Sequence, residues 1–386
     1  MLINRDIEKE LITFSKTYPV VTITGPRQSG KTTLAKKVFK DYTYCNLEEP
    51  EIRSLAQDDS KSLFNLYKPP LIIDEIQRVP KLLSYIQVIV DENQGKGMFI
   101  LTGSHQFELG QAITQSLAGR TALLNLLPFS IKELSSYDIT GDKAEFLYKG
   151  FLPRIYKDTL EPTKAYRNYF QTYVERDLRN ILNIKNIKPF ETFLKLLAGR
   201  IGQIVNLTSL SNDVGVSATT LKNWLSILEA SFIVFILPPY FQNFGKRLIK
   251  SPKIYFTEVG LAIYLLGIEE KTQVVRDPLI GGLFENMVIM EALKTRYNKG
   301  FDGNLYFFRD NAGNEVDLIF KKSNELIPIE IKSAKSYSKS FIKNIHYFRK
   351  TTGVGMPGYV IYDGDLTPEI DNIKIINFKD TYTIFK

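Results

Sequence analysis

Residues 20–32 read VVTITGPRQSGKT, an apolar stretch that runs into a glycine-rich loop. Gly25–Thr32 fits the pattern G-x-x-x-x-G-K-[ST] at every position, between a predicted strand and a predicted helix that starts at Lys31. The glycines allow backbone N–H groups to converge on a phosphate, and the N-terminus of the helix reinforces this. The pattern predicts an ATP site in which Lys31 spans the β- and γ-phosphates and the Thr32 hydroxyl holds Mg²⁺. The expected nucleotide contacts are Gly25, Pro26, Arg27, Gln28, Ser29, Gly30, Lys31, Thr32, Thr33 and Ser104.

A second polar pair lies in residues 71–75, LIIDE, directly after a short apolar strand. We expect Asp74 to orient the Mg²⁺ shell, as a Walker-B aspartate does. Glu75 is then placed to polarise the attacking water as the catalytic base. The adjacent glutamate favours hydrolysis over mere binding, so the sequence predicts an ATPase. The plain alternative is a surface Asp-Glu pair that follows a strand.

Two more motifs extend the predicted site. Residues 101–104, LTGS, end another apolar strand, so Ser104 or Thr102 is a candidate sensor of the γ-phosphate, although ordinary turn chemistry explains the same residues. Arg120, which ends SLAGR, is a candidate arginine finger, a role that can require a neighbouring subunit and hence a homo-oligomer. The candidate catalytic residues of the ATPase are therefore Lys31, Glu75 and Arg120.

The order of predicted elements indicates the fold class. Short, continuously apolar strands alternate with helices over the first third of the chain, which predicts an α/β domain with a parallel sheet and helices on both faces. A helix is expected at 1–17 and a long amphipathic helix at Tyr166–Leu182. The predicted domains are a P-loop NTPase core (1–135), a helical, lid-like segment (136–200), a winged helix-turn-helix (201–270) and a small α-β-β-β-α-β domain (271–386).

The helix-turn-helix prediction rests on Asn206–Val214, the turn at Gly215, and a helix at 218–230 that Ser217 caps. Polar residues lie near the start of the second helix, where a recognition helix contacts base edges: Thr219, Thr220, Lys222 and Asn223. A basic stretch after the wing strand suits phosphates: Lys246, Arg247, Lys250 and Lys253. With a net charge of +8, this pattern predicts DNA as a partner. The alternative is a protein-docking module or an interdomain strut.

Composition excludes several other classes of protein. The single cysteine, Cys45, excludes an internal disulfide and any multi-cysteine zinc site, and it indicates the reducing cytoplasm. The most apolar run, Ser231–Leu237, stops at two prolines and is too short to cross a bilayer, so no membrane contact is expected. His105 and His346 are too isolated for a metal or catalytic role.

The sequence resembles a bacterial and archaeal family of AAA-type ATPases that carry a C-terminal domain of uncharacterised function. The likeness covers nearly the whole chain and implies an AAA+ core, a winged helix and a nuclease-like C-terminal domain. In similar proteins a Gly-Gly pair precedes the aromatic near position 150, whereas this chain has Lys149-Gly150. The motifs that carry the likeness are Gly25–Thr32, Ile73–Gln77, Leu101–Ser104, Ser116–Arg120, Tyr173–Asp177, Arg247–Lys250 and Ile329–Lys332.

The C-terminal domain contains carboxylates that resemble the PD-(D/E)xK nuclease constellation. Strand periodicity places Glu330 and Lys332 on one face, and Asp317 lies on the preceding strand with Glu315 on the same face. Glu285 lies on a helix among uncharged neighbours and needs a partner, because burying a carboxylate alone is costly. Glu291 has Lys294 at i+3 and is expected to be solvated. The resemblance implies that Glu285, Asp317 and Glu330 bind Mg²⁺ and that Lys332 helps to activate water.

These observations together predict an ATP-driven switch or motor on nucleic acid, with a C-terminal module that cleaves DNA in the presence of Mg²⁺. The first alternative is a nucleotide-controlled regulatory or interaction protein whose nuclease-like domain is inactive. The second is a small-molecule or protein kinase built on the same P-loop. Against the kinase, no substrate lid is recognisable and Asp74-Glu75 has a hydrolytic pattern.

Overall fold

A computed structural model of the chain describes residues 2–104, 113, 115–178, 186–240, 251–353, 355 and 357–385, with only the backbone at 175–178. These residues form two compact units. The first contains residues 1–129, 230–232 and 297–301, and the second contains the rest.

Strand β1 (Val20–Thr24) is the fourth of five strands in the sheet of the first unit, and the glycine-rich loop follows it directly. The strands lie in the order β2-β3-β4-β1-β5, and every neighbouring pair is parallel. All five strands therefore end at one edge of the sheet. The parallel α/β architecture that the sequence predicts is confirmed. The other four strands are β2 (Thr43–Asn46), β3 (Leu71–Asp74), β4 (Phe99–Gly103) and β5 (Thr121–Asn125).

Helices cover both faces of this sheet because its strands are apolar at consecutive positions. Val20 and Leu71 belong to one buried cluster, whereas Val21 and Ile72 belong to another, as expected when successive side chains point to opposite faces. A short 3-10 helix, Ile76–Arg78, follows β3. The helices of this unit are α1 (Glu8–Thr17), α2 (Lys31–Val38), α3 (Pro50–Asp58), α4 (Ser60–Leu66) and α5 (Leu82–Asn93).

The second unit begins with helical chain. The helix expected at Tyr166–Leu182 is only partly an α-helix. Helix α9 (Pro162–Tyr169) ends at Tyr169, and the chain continues as a π-helix, Phe170–Leu178. Ser130 starts α6 with a capping box, in which Ser130 and Glu133 bond each other's backbone N–H groups. The helices of this segment are α6 (Ile131–Ser135), α7 (Lys143–Lys149), α8 (Pro153–Lys157), α9 (Pro162–Tyr169) and α10 (Ile187–Ala198).

The surroundings of Lys149 and Gly150 at the end of α7 explain the departure from the Gly-Gly pattern. Gly150 is the position that cannot change. It has a φ of +61°, and a Cβ there would lie 2.0 Å from the Tyr166 hydroxyl and 2.1 Å from Glu258 Oε1. Lys149 instead forms an ion pair of 2.6 Å with Glu145 on the same helix. Only the second position of the pair therefore requires glycine here.

Two helices and a strand follow, in the order that the sequence predicts, and a second strand pairs with the first. Gly215, with a φ of +77°, separates α11 (Leu207–Val214) from α12 (Ala218–Ala230). Strand β6 (Val234–Leu237) pairs in an antiparallel manner with a strand that the sequence did not reveal, β7 (Lys253–Phe256). Two short helices come next: α13 (Val259–Leu265) and α14 (Lys271–Arg276).

A mixed six-stranded sheet ends the second unit, in the order β12-β13-β11-β10-β9-β8. The order α-β-β-β-α-β matches the sequence prediction, but β12, β13 and the terminal 3-10 helix were not anticipated. The elements are α15 (Ile280–Tyr297), β8 (Leu305–Arg309), β9 (Glu315–Lys322), β10 (Glu325–Lys332), a 3-10 helix (Lys339–Ile342), α16 (Lys343–Thr352), β11 (Gly358–Tyr362), β12 (Glu369–Ile370), β13 (Ile373–Asn377) and a terminal 3-10 helix (Phe378–Thr383).

Among the described residues, no helix combines the length and the apolar character needed to cross a membrane.

The structure corrects the expectation that Glu291 is solvated. It is buried rather than solvated, forms a 2.8 Å ion pair with the buried Lys294, and accepts a hydrogen bond from the backbone N–H of Ile131. The i+3 spacing was recognised correctly, but spacing alone does not distinguish a buried pair from an exposed one.

Candidate functional site

The glycine-rich loop wraps at the C-terminal edge of the parallel sheet. Gly25 has a φ of +150°, and a Cβ there would lie 2.1 Å from the backbone oxygen of Leu126, which follows β5. Gly30 is left-handed, with a φ of +94°, immediately before α2. Both positions therefore require glycine, one for lack of space and the other for its backbone conformation.

Lys31 is buried under the loop, with 5% of its surface exposed. Its ammonium donates to two loop carbonyls, Gly25 O at 2.9 Å and Pro26 O at 2.8 Å. Burial lowers the pKa of Lys31 to about 8, although Glu75 and Asp74 raise it in part. The lysine is thus held at the mouth of the loop by weak acceptors that a phosphate oxygen can replace.

Asp74 is the centre of a hydrogen-bond cluster that joins three other elements to β3. The Thr32 hydroxyl, at the start of α2, lies 2.9 and 3.0 Å from its two carboxylate oxygens. Tyr44 on β2 donates to Asp74 Oδ2 at 2.9 Å, and Thr102 at the end of β4 donates to Oδ1. The motif residues Thr32 and Asp74, 42 positions apart in sequence, therefore meet at the edge of the sheet.

Glu75 is held beside this cluster by two polar side chains. The amide of Gln77 and the hydroxyl of Ser104 both bond Glu75 Oε2, the latter at 3.2 Å, and the two also bond each other at 3.1 Å. Glu75 has a left-handed backbone with a φ of +58°, and its N–H bonds the Thr102 hydroxyl at 3.2 Å. The predicted base and the predicted sensor serine are thus in direct contact.

Arg5 holds the loop through a backbone carbonyl group. Its guanidinium donates to Ser29 O at 2.8 Å and to Leu127 O at 2.6 Å, and it lies 4.9 Å from the centre of the Phe129 ring. The side chain is buried. Because Arg5 holds the Ser29 carbonyl on its own side, it fixes the orientation of the peptide unit that joins Ser29 to Gly30.

The residues present fit a nucleotide with Mg²⁺. The Ser29 hydroxyl is buried inside the loop and has no hydrogen-bond partner among the described residues, although a buried hydroxyl normally has one. Thr32 and Asp74 offer the hard oxygen atoms that Mg²⁺ prefers. Of the other predicted contacts, Pro26 is buried, Arg27 is half-buried, and Gln28 and Thr33 are exposed on the loop and on α2.

Arg120 does not join this cluster. Thr121 pairs with Val20 at the beginning of β1, so Arg120 lies at the opposite edge of the sheet from the loop. Its guanidinium forms an exposed ion pair with Asp91, at 2.6 and 2.8 Å. A catalytic role within its own chain is therefore ruled out by position, and a role on a neighbouring subunit stays a prediction.

The C-terminal carboxylates form two lysine-centred groups. In the first, Lys332 lies 3.0 Å from Asp317 and also contacts the buried Glu330. Asp317 accepts a further hydrogen bond from the N–H of Ile331 at 2.8 Å. Burial raises the pKa of Glu330 above its ordinary value. For Asp317, burial also acts upward, but Lys332 and Lys253 outweigh it and the pKa is lowered.

In the second group, Lys253 of β7 lies 3.0 Å from Glu285 Oε1 and 2.5 Å from Glu315 Oε1. Tyr255 donates to Glu285 Oε1 at 2.5 Å. Burial acts to lower the pKa of Lys253, but Glu285, Asp317 and Glu315 more than offset this and the pKa is raised. Lys253 is therefore not available to a DNA phosphate, contrary to the sequence prediction, because only 2% of its surface is exposed.

The predicted Mg²⁺ ligands do not fit a metal in this arrangement. Glu285 is bonded to Lys253 and Tyr255, while Asp317 and Glu330 share Lys332. Within the part of the chain that the structure describes, no group of three or more His, Cys, Asp or Glu residues is arranged to hold a metal ion. Glu285, Asp317 and Glu330 thus lie near one another without converging on one point.

The predicted recognition helix has the expected two sides. Trp224, Leu225 and Leu228 are buried, whereas Thr219, Lys222 and Asn223 are exposed. Ser217 accepts from the N–H of Thr220 at 3.1 Å, as a cap does, and Thr220 is half-buried. Lys246, Arg247, Lys250 and His105 lie outside the described residues, as do the side chains of 175–178.

Sequence reasoning did not identify three residues of the site. Arg5 and Tyr44 belong to no motif, and nothing local marks a tyrosine or arginine that reaches a distant loop. Gln77 lay within the quoted motif Ile73–Gln77, but no role was assigned to it. The sequence feature that could have indicated Gln77 is a polar side chain two positions after Glu75, in the 3-10 helix that follows β3.

The parallel sheet, the wrapped loop and the Thr32–Asp74 pair define a AAA-type P-loop protein. Residues 17–135 match the family model described as "AAA domain". Two domains of unknown function match the remainder, DUF8612 at residues 141–272 and DUF4143 at 280–381.

The chain belongs to the same family as the uncharacterised protein Rv2008c of Mycobacterium tuberculosis. The two are 32% identical over 327 residues, which cover 83% of this chain and 72% of the relative. The uncharacterised protein MJ1637 of Methanocaldococcus jannaschii is 22% identical over 391 residues, covering 87% of this chain and 80% of that protein.

Similarities to solved structures are weaker. The Walker-type ATPase PABY2304 of Pyrococcus abyssi has a TM-score of 0.44 and 12% identity, covering 68% of this chain and 96% of that one. AMPPCP-bound DnaA from Aquifex aeolicus has a TM-score of 0.29 and 15% identity, covering 58% of this chain and 85% of that one. Likenesses at this level support no conclusion about activity.

Proposed function

We propose that the protein is an ATPase that binds ATP and Mg²⁺ at Gly25–Thr32 and hydrolyses the nucleotide. One observation carries the proposal: the Thr32 hydroxyl bonds both oxygens of Asp74, at 2.9 and 3.0 Å, and Glu75 is the next residue. The end of the phosphate loop and the two carboxylates therefore lie within one site. The match of residues 17–135 to an AAA domain supports the same activity.

Each residue of the cluster has a definite task in this reaction. Backbone N–H groups of the loop bind the β-phosphate, and Lys31 exchanges its two carbonyl acceptors for β- and γ-phosphate oxygens. Thr32 and Asp74 would hold Mg²⁺, which supplies positive charge to the phosphate oxygens. Glu75 takes a proton from the attacking water, whose oxygen then bonds the γ-phosphorus as the bond to ADP breaks.

Phosphate release without added acceptor tests this proposal and also separates it from a kinase. We expect wild-type protein to release phosphate and Lys31→Ala to lose nucleotide binding. Glu75→Gln should still bind ATP but should lose about 100-fold or more in rate, because general-base catalysis contributes on that order. The exposed residues Lys40 and Glu51 provide matched controls, Lys40→Ala and Glu51→Gln, which should behave like wild type. Phosphate transfer only to an acceptor would contradict the proposal.

We further propose that the ATPase acts on DNA through the α11–α12 segment. The exposed Thr219, Lys222 and Asn223 on α12 and the charge of +8 support this. Arg247→Ala with Lys250→Ala should weaken duplex binding and should reduce the slope of log affinity against log salt by about two, as for two lost phosphate contacts. Removal of two exposed lysines of α1, Lys9→Ala with Lys16→Ala, is the control. An unchanged slope in the variant that carries Arg247→Ala and Lys250→Ala argues against DNA contact by this part of the chain.

A second candidate function concerns the C-terminal domain. The observation that Lys253 and Lys332 occupy the carboxylate cluster favours a nucleotide-controlled interaction protein whose nuclease-like domain does not cleave. The competing proposal is Mg²⁺-dependent cleavage of DNA. Incubation with Mg²⁺ or Mn²⁺ and single- or double-stranded DNA or RNA distinguishes them, because product that disappears in Asp317→Ala and Glu330→Ala would establish the nuclease.

A further inference from the structure

Lys253 is a fully buried cation that another part of the chain contributes to the C-terminal carboxylates. It lies on β7, outside the segment 280–381 that matches the C-terminal family model. Its ammonium lies 3.0 Å from Glu285 and 2.5 Å from Glu315, and 5.5 Å from the centre of the Phe307 ring. A buried ammonium this close to two carboxylates neutralises negative charge that would otherwise be buried without a partner.

The position of Lys253 is fixed by the backbone on which it lies. Asn286, next to Glu285, bonds the main chain of Phe256 twice, accepting from its N–H at 2.6 Å and donating to its carbonyl at 2.9 Å. Strand β6 pairs with one edge of β7, and the N–H of Gly202 bonds Ile254 O at 3.1 Å. These bonds fix the main chain of β7, and the buried Lys253 side chain extends from it to Glu285 and Glu315.

The second lysine completes the arrangement. Lys332 contacts both Asp317 and Glu330, so each of the four carboxylates in the cluster has an ammonium partner. A divalent cation at Glu285 would lie next to the Lys253 ammonium, where the small exposed fraction of the two side chains, 16% and 2%, leaves water to screen the repulsion only weakly. The charge of the metal would therefore oppose its own binding.

We propose that the Lys253 ammonium is the resident cation of this cluster and that the C-terminal domain consequently binds no divalent metal. The carboxylates then hold β7 against α15 and β9 instead of holding a catalytic ion. This inference gives a structural cause for the second candidate function above and is independent of ATP hydrolysis.

Binding of Mn²⁺ to the nucleotide-free full chain, followed by electron paramagnetic resonance, tests the proposal. All proteins carry Asp74→Asn so that the nucleotide site contributes no signal. We expect no bound Mn²⁺ at millimolar metal in this parent protein. Lys253→Met, which keeps the length of the side chain, should gain one Mn²⁺ per chain, and the added Glu285→Gln should remove it again.

Lys294→Met is the matched control, since Lys294 is equally buried but pairs with Glu291, which is not one of the four carboxylates of the cluster, and it should gain no Mn²⁺. Mn²⁺ bound by the parent protein and lost in Glu330→Gln would overturn the proposal. So would a folded Lys253→Met that gains no metal. If Lys253→Met does not fold, the parent protein and Glu330→Gln still decide the question.

Discussion

Lys31 has a charge that depends on pH within the range in which most proteins are studied. Its pKa is lowered to about 8 by burial, so the free protein loses this positive charge as the pH rises above that value. ATP binds the charged form through its phosphates. We expect the Kd for a non-hydrolysable ATP analogue to increase by about tenfold between pH 7 and pH 9, because protonation must precede binding there.

Lys31→Arg provides the control for this pH dependence. Arginine stays protonated over the whole interval, so any analogue affinity that the variant retains should not change between the two pH values. Calorimetric titration at each pH measures both proteins. A wild-type Kd that is independent of pH would show that Lys31 is fully charged before ATP arrives.

Gln77 positions the predicted base through its side-chain amide. Its amide bonds Glu75 and the Ser104 hydroxyl. Gln77→Leu should lower kcat for ATP hydrolysis by about 10- to 100-fold and leave the Kd for ATP unchanged, as expected when only the support of a catalytic group is lost. Gln57→Leu on the exposed side of α3 is the control. A weaker Kd with normal kcat would assign Gln77 to binding instead.

The sequence identifies those site residues whose role follows from a local pattern. Gly25–Thr32 and Asp74-Glu75 each lie within a few residues of a strand end, so spacing alone relates them to phosphate chemistry. Arg5 and Tyr44 reach the site from distant segments and carry no such mark. The prediction that Lys253 contacts DNA was wrong because a basic residue after a strand has the same sequence pattern whether it faces DNA or a buried carboxylate.

At the scale of an element, Gly150 ends α7 in a conformation and a space that no other residue fits. Gly150→Ala should destabilise the protein by about 3 kcal/mol or more, since a Cβ there would overlap the Tyr166 hydroxyl and Glu258. Denaturant unfolding measures the change. Gly267→Ala, at a φ of +75° with nothing within 4 Å of the added atom, should cost only about 1 kcal/mol. Equal costs would show that backbone conformation alone matters.

Element boundaries were predictable where a cap or a break is encoded locally. Ser217 and Gly215 delimit α12 at the predicted Ala218–Ala230. By contrast, the helix expected at 1–17 begins only at Glu8, because the residues before it include Arg5, which is held by loop carbonyls. Strands β7 and β12 were missed because pairing with a partner strand defines them and the partner is not visible in a single stretch of sequence.

At the scale of the whole molecule, nucleotide should stabilise the folded chain by mass action. An ATP analogue at 100 times its Kd should add about 2.7 kcal/mol and raise the unfolding temperature of the transition that includes the nucleotide site. Lys31→Ala should show no such shift, whereas Lys332→Ala should retain it. Thermal scans with and without the analogue measure this. A shift retained in Lys31→Ala would place the nucleotide elsewhere.

The position of Lys253 on β7 has a practical consequence for truncation experiments. A fragment cut at residues 280–381 would keep Glu285 and Glu315 but would lose the ammonium that pairs with both of them and the strand to which Asn286 is hydrogen-bonded. Such a piece would have excess negative charge in its interior and could acquire ions from the buffer that the intact chain rejects. Apparent metal dependence in that fragment would therefore be an artefact of the cut, and a dissection that begins before Pro252 avoids it.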